Sequence, residues 1–111
     1  MGITKTEIFT EEQNKMALTF KVLGHPARLA ILQYIIDKNA CICNDLVDEL
    51  GLAQATISQD LKELKNIGII RGTIEGKSVC YCINEQIWKS IQHNINAFFN
   101  QKVEVKYFCS E

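Results

Sequence analysis

Five cysteines in a chain of 111 residues are the first candidates for chemistry. Four stand as two pairs, Cys41/Cys43 and Cys80/Cys82, each separated by one residue, and the fifth is Cys109. Neighbours one residue apart rarely bridge each other, and the count is odd. A secreted disulfide scaffold is therefore disfavoured, which leaves reduced thiols for metal or redox chemistry, or small buried hydrophobes. The second group is polar. Gln54, Thr56, Ser58, Gln59 and Lys62 fall close together, with Arg71 and Lys77 following. Amides can bond base edges in a DNA major groove, while hydroxyls and basic side chains suit phosphates. Catalysis has no comparable set: there is no paired carboxylate, no nucleophile with a placed base, no Gly-rich phosphate loop and no Cys-x-x-Cys. An enzyme is not expected.

Twelve Lys or Arg against thirteen Asp or Glu give a net charge of -1, which does not advertise nucleic acid. The charge is uneven, however. Between Lys62 and Lys77, Lys62, Lys65, Arg71 and Lys77 face Glu63 and Glu75, a local balance of +2. With 47% hydrophobic residues and no linker or repeat, residues 1–111 read as one compact domain, extended or disordered from about residue 101. No apolar run approaches the roughly 18 residues a membrane span needs, and the start lacks a secretory layout. The expectation is a cytoplasmic protein with no membrane partner.

The elements that must position these groups follow from periodicity. Thr10 with Gln13 gives a capping box, and Met16, Phe20 and Leu23 recur at helical spacing until Gly24. Pro26 opens a second helix with a broad face of Leu29, Ile31, Leu32, Ile35 and Ile36, stopped by Asn39. Cys41-Ile42-Cys43 is too short for an independent element. Asn44 or Asp45 then caps a brief helix carrying Leu46, Val47 and Leu50, ended by Gly51. A further helix follows with Ile57, Leu61 and Leu64 in register. Two helices around a Gly-containing turn suggest a helix-turn-helix. From Gly68 the pattern turns β-rich on both sides of Glu75-Gly76-Lys77-Ser78, which reads as a hairpin. Asn84 caps a last helix whose Trp88, Ile91, Ile95 and Phe98 stripe exceeds what one small domain covers. The fold class is mainly α with a small β-hairpin.

With the Ile57/Leu61/Leu64 stripe inward, the opposite face of that helix holds Ala55, Gln59, Lys62 and Asn66, flanked by Thr56, Ser58, Glu63 and Lys65. Gln54, Thr56, Ser58, Gln59 and Lys62 are the candidate base and phosphate contacts. Arg71 and Lys77 would let the hairpin lie along the backbone as a wing. The expected partner is double-stranded DNA, with specificity resting on shape and a dimer.

Phe20-Lys21-Val22-Leu23-Gly24-His25-Pro26-Ala27-Arg28-Leu29-Ala30-Ile31-Leu32 resembles the opening signature of the ArsR/SmtB family of winged-helix repressors. Leu52 to Leu64 resembles its recognition helix, and Gly68-Ile69-Ile70 with Gly76-Lys77-Ser78-Val79-Cys80-Tyr81 its wing. The resemblance spans about Thr10 to Phe99. It implies a winged helix-turn-helix homodimer paired through the first and last helices, with Met16, Phe20, Trp88, Ile91, Ile95 and Phe98 at the interface, and repression released by a small effector. Two positions depart from the family pattern: Ala53, where Ser is frequent as N-cap, and Asp60, where His is frequent. The helical wheel turns Asp60 toward the domain edge.

Cys41-Ile42-Cys43-Asn44-Asp45-Leu46 resembles the Cys-x-Cys element that members use for arsenite, antimonite, cadmium or lead. Residues i and i+2 on a helix lie 200° apart and cannot chelate, whereas in an extended lead-in they share a side. Two thiolates favour a soft ion, and a trigonal site needs a third ligand, for which Cys109 is the candidate. Cys80 and Cys82 lie on one side of the hairpin strand and are expected to pack. The alternative reading is a metal-independent winged-helix regulator or a protein-interaction module with structural cysteines.

Overall fold

A computed structural model describes residues 8–43, 49–75 and 78–106 of the chain. Helix α1 (Glu11–Leu23) begins with the expected capping box: Gln13 N–H donates to Thr10 Oγ1 at 3.0 Å and Thr10 N–H to Gln13 Oε1 at 3.1 Å. Helix α2 (Pro26–Lys38) has Pro in its first turn and ends at Asn39, whose left-handed backbone (φ 54°) lets its N–H reach the Ile35 and Ile36 carbonyls. Helix α3 (Gln54–Asn66) is preceded by helical residues 49–50 and by Gly51 at φ 68°. The rest of the brief helix expected before it, with Asn44, Asp45, Leu46 and Val47, lies outside the described residues. Helix α4 (Glu85–Phe99) starts where Asn84 Oδ1 accepts from Ile87 N–H.

The β region differs from a bare hairpin. Strands β2 (Ile70–Glu75) and β3 (Ser78–Ile83) pair antiparallel as expected, but Ile42–Cys43 forms a short strand, β1, on the other side of β3, so the sheet order is β1-β3-β2. Two residues carry too little pattern to be read as a strand. What fixes them is tertiary: Ile42 lies opposite Tyr81 in the register, and both are buried.

The core lies between α2, α3 and the inner face of this sheet. Ile31, Ile35, Leu61, Leu64, Ile69, Ile70 and Tyr81 are fully enclosed, and each contributes about 1.5–3 kcal/mol by leaving water. Ile57, Leu61 and Leu64 of α3 all face this core, as their spacing requires. Helix α4 contributes no fully buried side chain; Ile87, Trp88 and Ile91 only partly cover the core. Residues 101–106 follow it without regular structure, and Val103 and Val105 stand in solvent.

Two glycines have different demands. Gly68, at φ 84°, turns the chain from α3 into β2, and a Cβ there would meet only the Ile87 side chain at ordinary contact distance. Gly72, at φ 136°, lies against β3 so closely that a Cβ would run into the Cys80 carbonyl oxygen and the Tyr81 backbone. Backbone cannot step aside as a side-chain tip can. Gly68→Ala is therefore expected to cost about 1 kcal/mol, and Gly72→Ala about 2–3 kcal/mol with loss of the β2–β3 pairing, measured by urea unfolding and amide hydrogen exchange.

Candidate nucleic-acid interface and cysteine bridge

Helix α3 is held against α2 by an ion pair as well as by its apolar stripe. Arg28 Nε donates to Asp60 Oδ1 at 3.0 Å, and Arg28 Nη1 donates to the Val22 carbonyl at 3.1 Å. Both side chains are only 12% exposed, so water screens the pair weakly. This corrects the sequence expectation for Asp60. It does not sit at the domain edge but in a slot between α2 and α3, where Arg28 neutralises it. A helical wheel cannot show this, because the partner is 32 residues away in sequence.

With Asp60 and the stripe turned inward, Gln54, Ala55, Thr56, Gln59, Lys62, Lys65 and Asn66 are exposed, and Ser58 and Glu63 are half-buried. Gln54 Nε2 donates to Ser58 Oγ at 3.3 Å, and Gln59 Nε2 to Glu63 Oε2 at 3.1 Å. Each bond spans one helical turn and lays its amide along the surface of α3. Ala53 occupies the N-cap with extended backbone (φ -64°, ψ 147°) and no side-chain cap bond, so the first N–H groups of α3 stay unclaimed by a cap side chain. Arg71 is exposed on β2, which packs on α3. Lys77 lies outside the described residues.

Cys41 and Cys82 are joined in a disulfide, with their Cα atoms 4.4 Å apart. That separation is typical of a directly opposed, non-hydrogen-bonded position of an antiparallel pair. Hydrogen-bonded and open positions alternate, so the pair two residues on, Cys43 opposite Cys80, is of the same kind. Cys80 is disulfide-bonded too. Cys80 and Cys82 are thus bridge partners rather than the packing residues expected, and Cys41 holds no free thiolate while its bridge is closed. The signal was present in the sequence: two Cys-x-Cys runs have matching spacing, so a single register aligns both. Considering only neighbours within each run missed it. Among the described residues, no three His, Cys, Asp or Glu side chains gather to hold a metal ion; Cys109 lies outside them. In chain-entropy terms, closing the 41-residue separation stabilises the fold by about 4 kcal/mol.

Helices α1 and α4 frame a groove of about 710 Å³ lined by Met16, Leu18, Ile87, Ile91, Ile95 and Phe98. Phe20 (42% exposed) and Phe98 (49%) leave much of their surface uncovered, and Trp88 is half-buried.

A profile for the bacterial regulatory proteins of the arsR family matches residues 25–71, from the start of α2 to Arg71. The chain is 38% identical over 82 residues to an uncharacterized HTH-type transcriptional regulator of Methanocaldococcus jannaschii, covering 73% of this chain and 91% of that protein. The chain belongs to the ArsR family. It is 28% identical over 99 residues to a cadmium resistance transcriptional regulatory protein CadC homolog of Staphylococcus aureus, covering 88% of this chain and 79% of that one. HlyU from Vibrio cholerae shares the winged-helix fold, with a TM-score of 0.61 at 22% identity over 84% of this chain and the whole of HlyU. As an ArsR-family protein the chain is a DNA-binding transcriptional regulator and not an enzyme. No helix among its described residues is long and apolar enough to cross a membrane.

Removing Asp60 strands a nearly buried guanidinium. Asp60→Ala in this ArsR-family chain is expected to lower stability by about 2–3 kcal/mol in urea unfolding. Ala53→Ser, placed where the backbone already has cap geometry, is expected to raise it by about 1 kcal/mol in the same assay.

Proposed function

We propose that the protein is a homodimeric, sequence-specific DNA-binding repressor that a thiophilic metal or metalloid ion releases from its operator. One observation carries the reading: the exposed polar face of α3, fixed in rotation by the buried stripe and the Arg28–Asp60 pair, beside a wing that presents Arg71. Gln54, Gln59, Thr56 and Ser58 read base edges and phosphates from the start of α3, while Lys62, Arg71 and Lys77 neutralise backbone charge. The burial of Asp60 removes the acidic group that would have opposed this. A second copy docks on α1 and α4, through Met16, Ile91, Ile95 and Phe98 of the groove together with Phe20 and Trp88 of the same two helices. Two α3 helices then meet successive major grooves, which offsets a footprint of only +2 per chain.

Arsenite, antimonite, cadmium and lead are the candidate effectors, since thiolates prefer soft ions. The similarity to a cadmium resistance regulator supports an ion of this kind. Cys41 and Cys43 are the ligands, with Cys109 as third, and all three act in the reduced protein. A thiol must lose its proton to ligate, so ion binding releases protons as it proceeds.

Fluorescence anisotropy with DNA from upstream of the protein's own gene tests the DNA reading. Lys62→Ala is expected to weaken binding to all sequences alike and to reduce the log–log salt slope by about one, the share of a single phosphate. Gln59→Ala is expected to cost about 1–3 kcal/mol on the specific site and little on unrelated DNA. Absence of any salt-sensitive binding at micromolar protein would reject the proposal.

A further inference from the structure

We propose that Cys41 and Cys82 form a reversible dithiol–disulfide site that gates the response to soft ions, closed by disulfide-class oxidants and opened by low-molecular-weight thiols. It rests on the ion-release reading above and deepens it, because closure withdraws Cys41 from any ion.

Three observations place the site. Ile42 and Tyr81 point into the core at 5% and 1% exposure, so the pleat turns the flanking positions 41, 80 and 82 to the outer face. Cys41 and Cys80 are exposed and Cys82 half-buried, within reach of a small thiol. β1 is an edge strand, so the bond ties the margin of the sheet and not its middle. Cys82 is also the register partner of Arg71 on β2, so Cys41, Cys82 and Arg71 run in one row across the three strands. The bridge thereby links the lead-in to the helix pair with the strand position of a candidate DNA contact. All described DNA-contact candidates, from Gln54 to Arg71, lie in the segment that the bridge closes.

Opening proceeds by exchange. An external thiolate attacks one sulfur of the Cys41–Cys82 bond, the S–S bond breaks as a mixed disulfide forms, and the other cysteine leaves as a thiolate that takes up a proton. A second external thiolate displaces the remaining cysteine. Two external thiols become one external disulfide, and two electrons and two protons reach the protein. Closure is the reverse, with an external disulfide accepting the electrons. The opened pair offers thiolates to an ion and the closed pair offers none.

The test uses the full chain bound to its upstream DNA, reduced with dithiothreitol or oxidised with oxidised glutathione, then titrated with cadmium. Cadmium is expected to release the reduced protein, to be at least tenfold less effective on the oxidised protein, and to regain its effect after dithiothreitol. Peptide mapping without reductant is expected to show the Cys41–Cys82 cross-link only after oxidation. Because Cys80 is disulfide-bonded as well, the control removes both β3 thiols: the double variant Cys80→Ser, Cys82→Ser is expected to stay cadmium-responsive before and after oxidation, and its retained DNA binding reports that it folds. Equal cadmium responses of reduced and oxidised wild type, or Cys41 left unbridged after oxidation, would overturn the gate alone. A reduced protein that cadmium leaves on DNA would instead overturn the ion-release reading on which the gate depends.

Discussion

The rotation of α3 about its own axis decides which side chains this protein can show to DNA. Hydrophobic burial sets that rotation coarsely, since a stripe of Ile57, Leu61 and Leu64 tolerates some turning in a core of similar residues. The Arg28–Asp60 pair sets it finely. A charge-assisted bond at 3.0 Å has a narrow geometry, and Arg28 is itself pinned by the Val22 carbonyl at the end of α1. Three helices meet at one guanidinium. Asp60 inward leaves Gln59 and Lys62 outward, and the exposed face of α3 follows.

Much of this was legible in the sequence because it is local. Capping residues such as Thr10, Asn39 and Asn84 act within one turn of their own positions, so reading them needs no tertiary knowledge. The same holds for the α3 stripe, where one periodicity marks the buried side. What escaped was long-range. Asp60 reads as a misplaced acid until Arg28 is seen beside it, and β1 reads as a link because two residues carry no period. The cysteines are the sharpest case. Each Cys-x-Cys run taken alone suggests a chelator or packing, and only antiparallel pairing of β1 with β3 turns them into opposed pairs.

The bridge and the DNA-facing surface share one small sheet whose two faces have separate tasks. Its inner face, through Ile42, Ile70 and Tyr81, completes the core under α3. Its outer face carries Cys41, Cys80, Cys82 and Arg71. Chemistry at the outer face can therefore change without unpacking the core, which is what a regulator needs from a responsive site.

If α3 and the wing form the surface that meets DNA, binding must register first on their side chains. Amide and side-chain NMR shifts of the full chain, followed as its own upstream DNA is added, test that directly. The largest changes are expected at Gln54, Thr56, Gln59, Lys62 and Arg71, with Arg28 and the inner stripe little moved. Changes confined to the α1–α4 groove, or no saturable change at all, would contradict it.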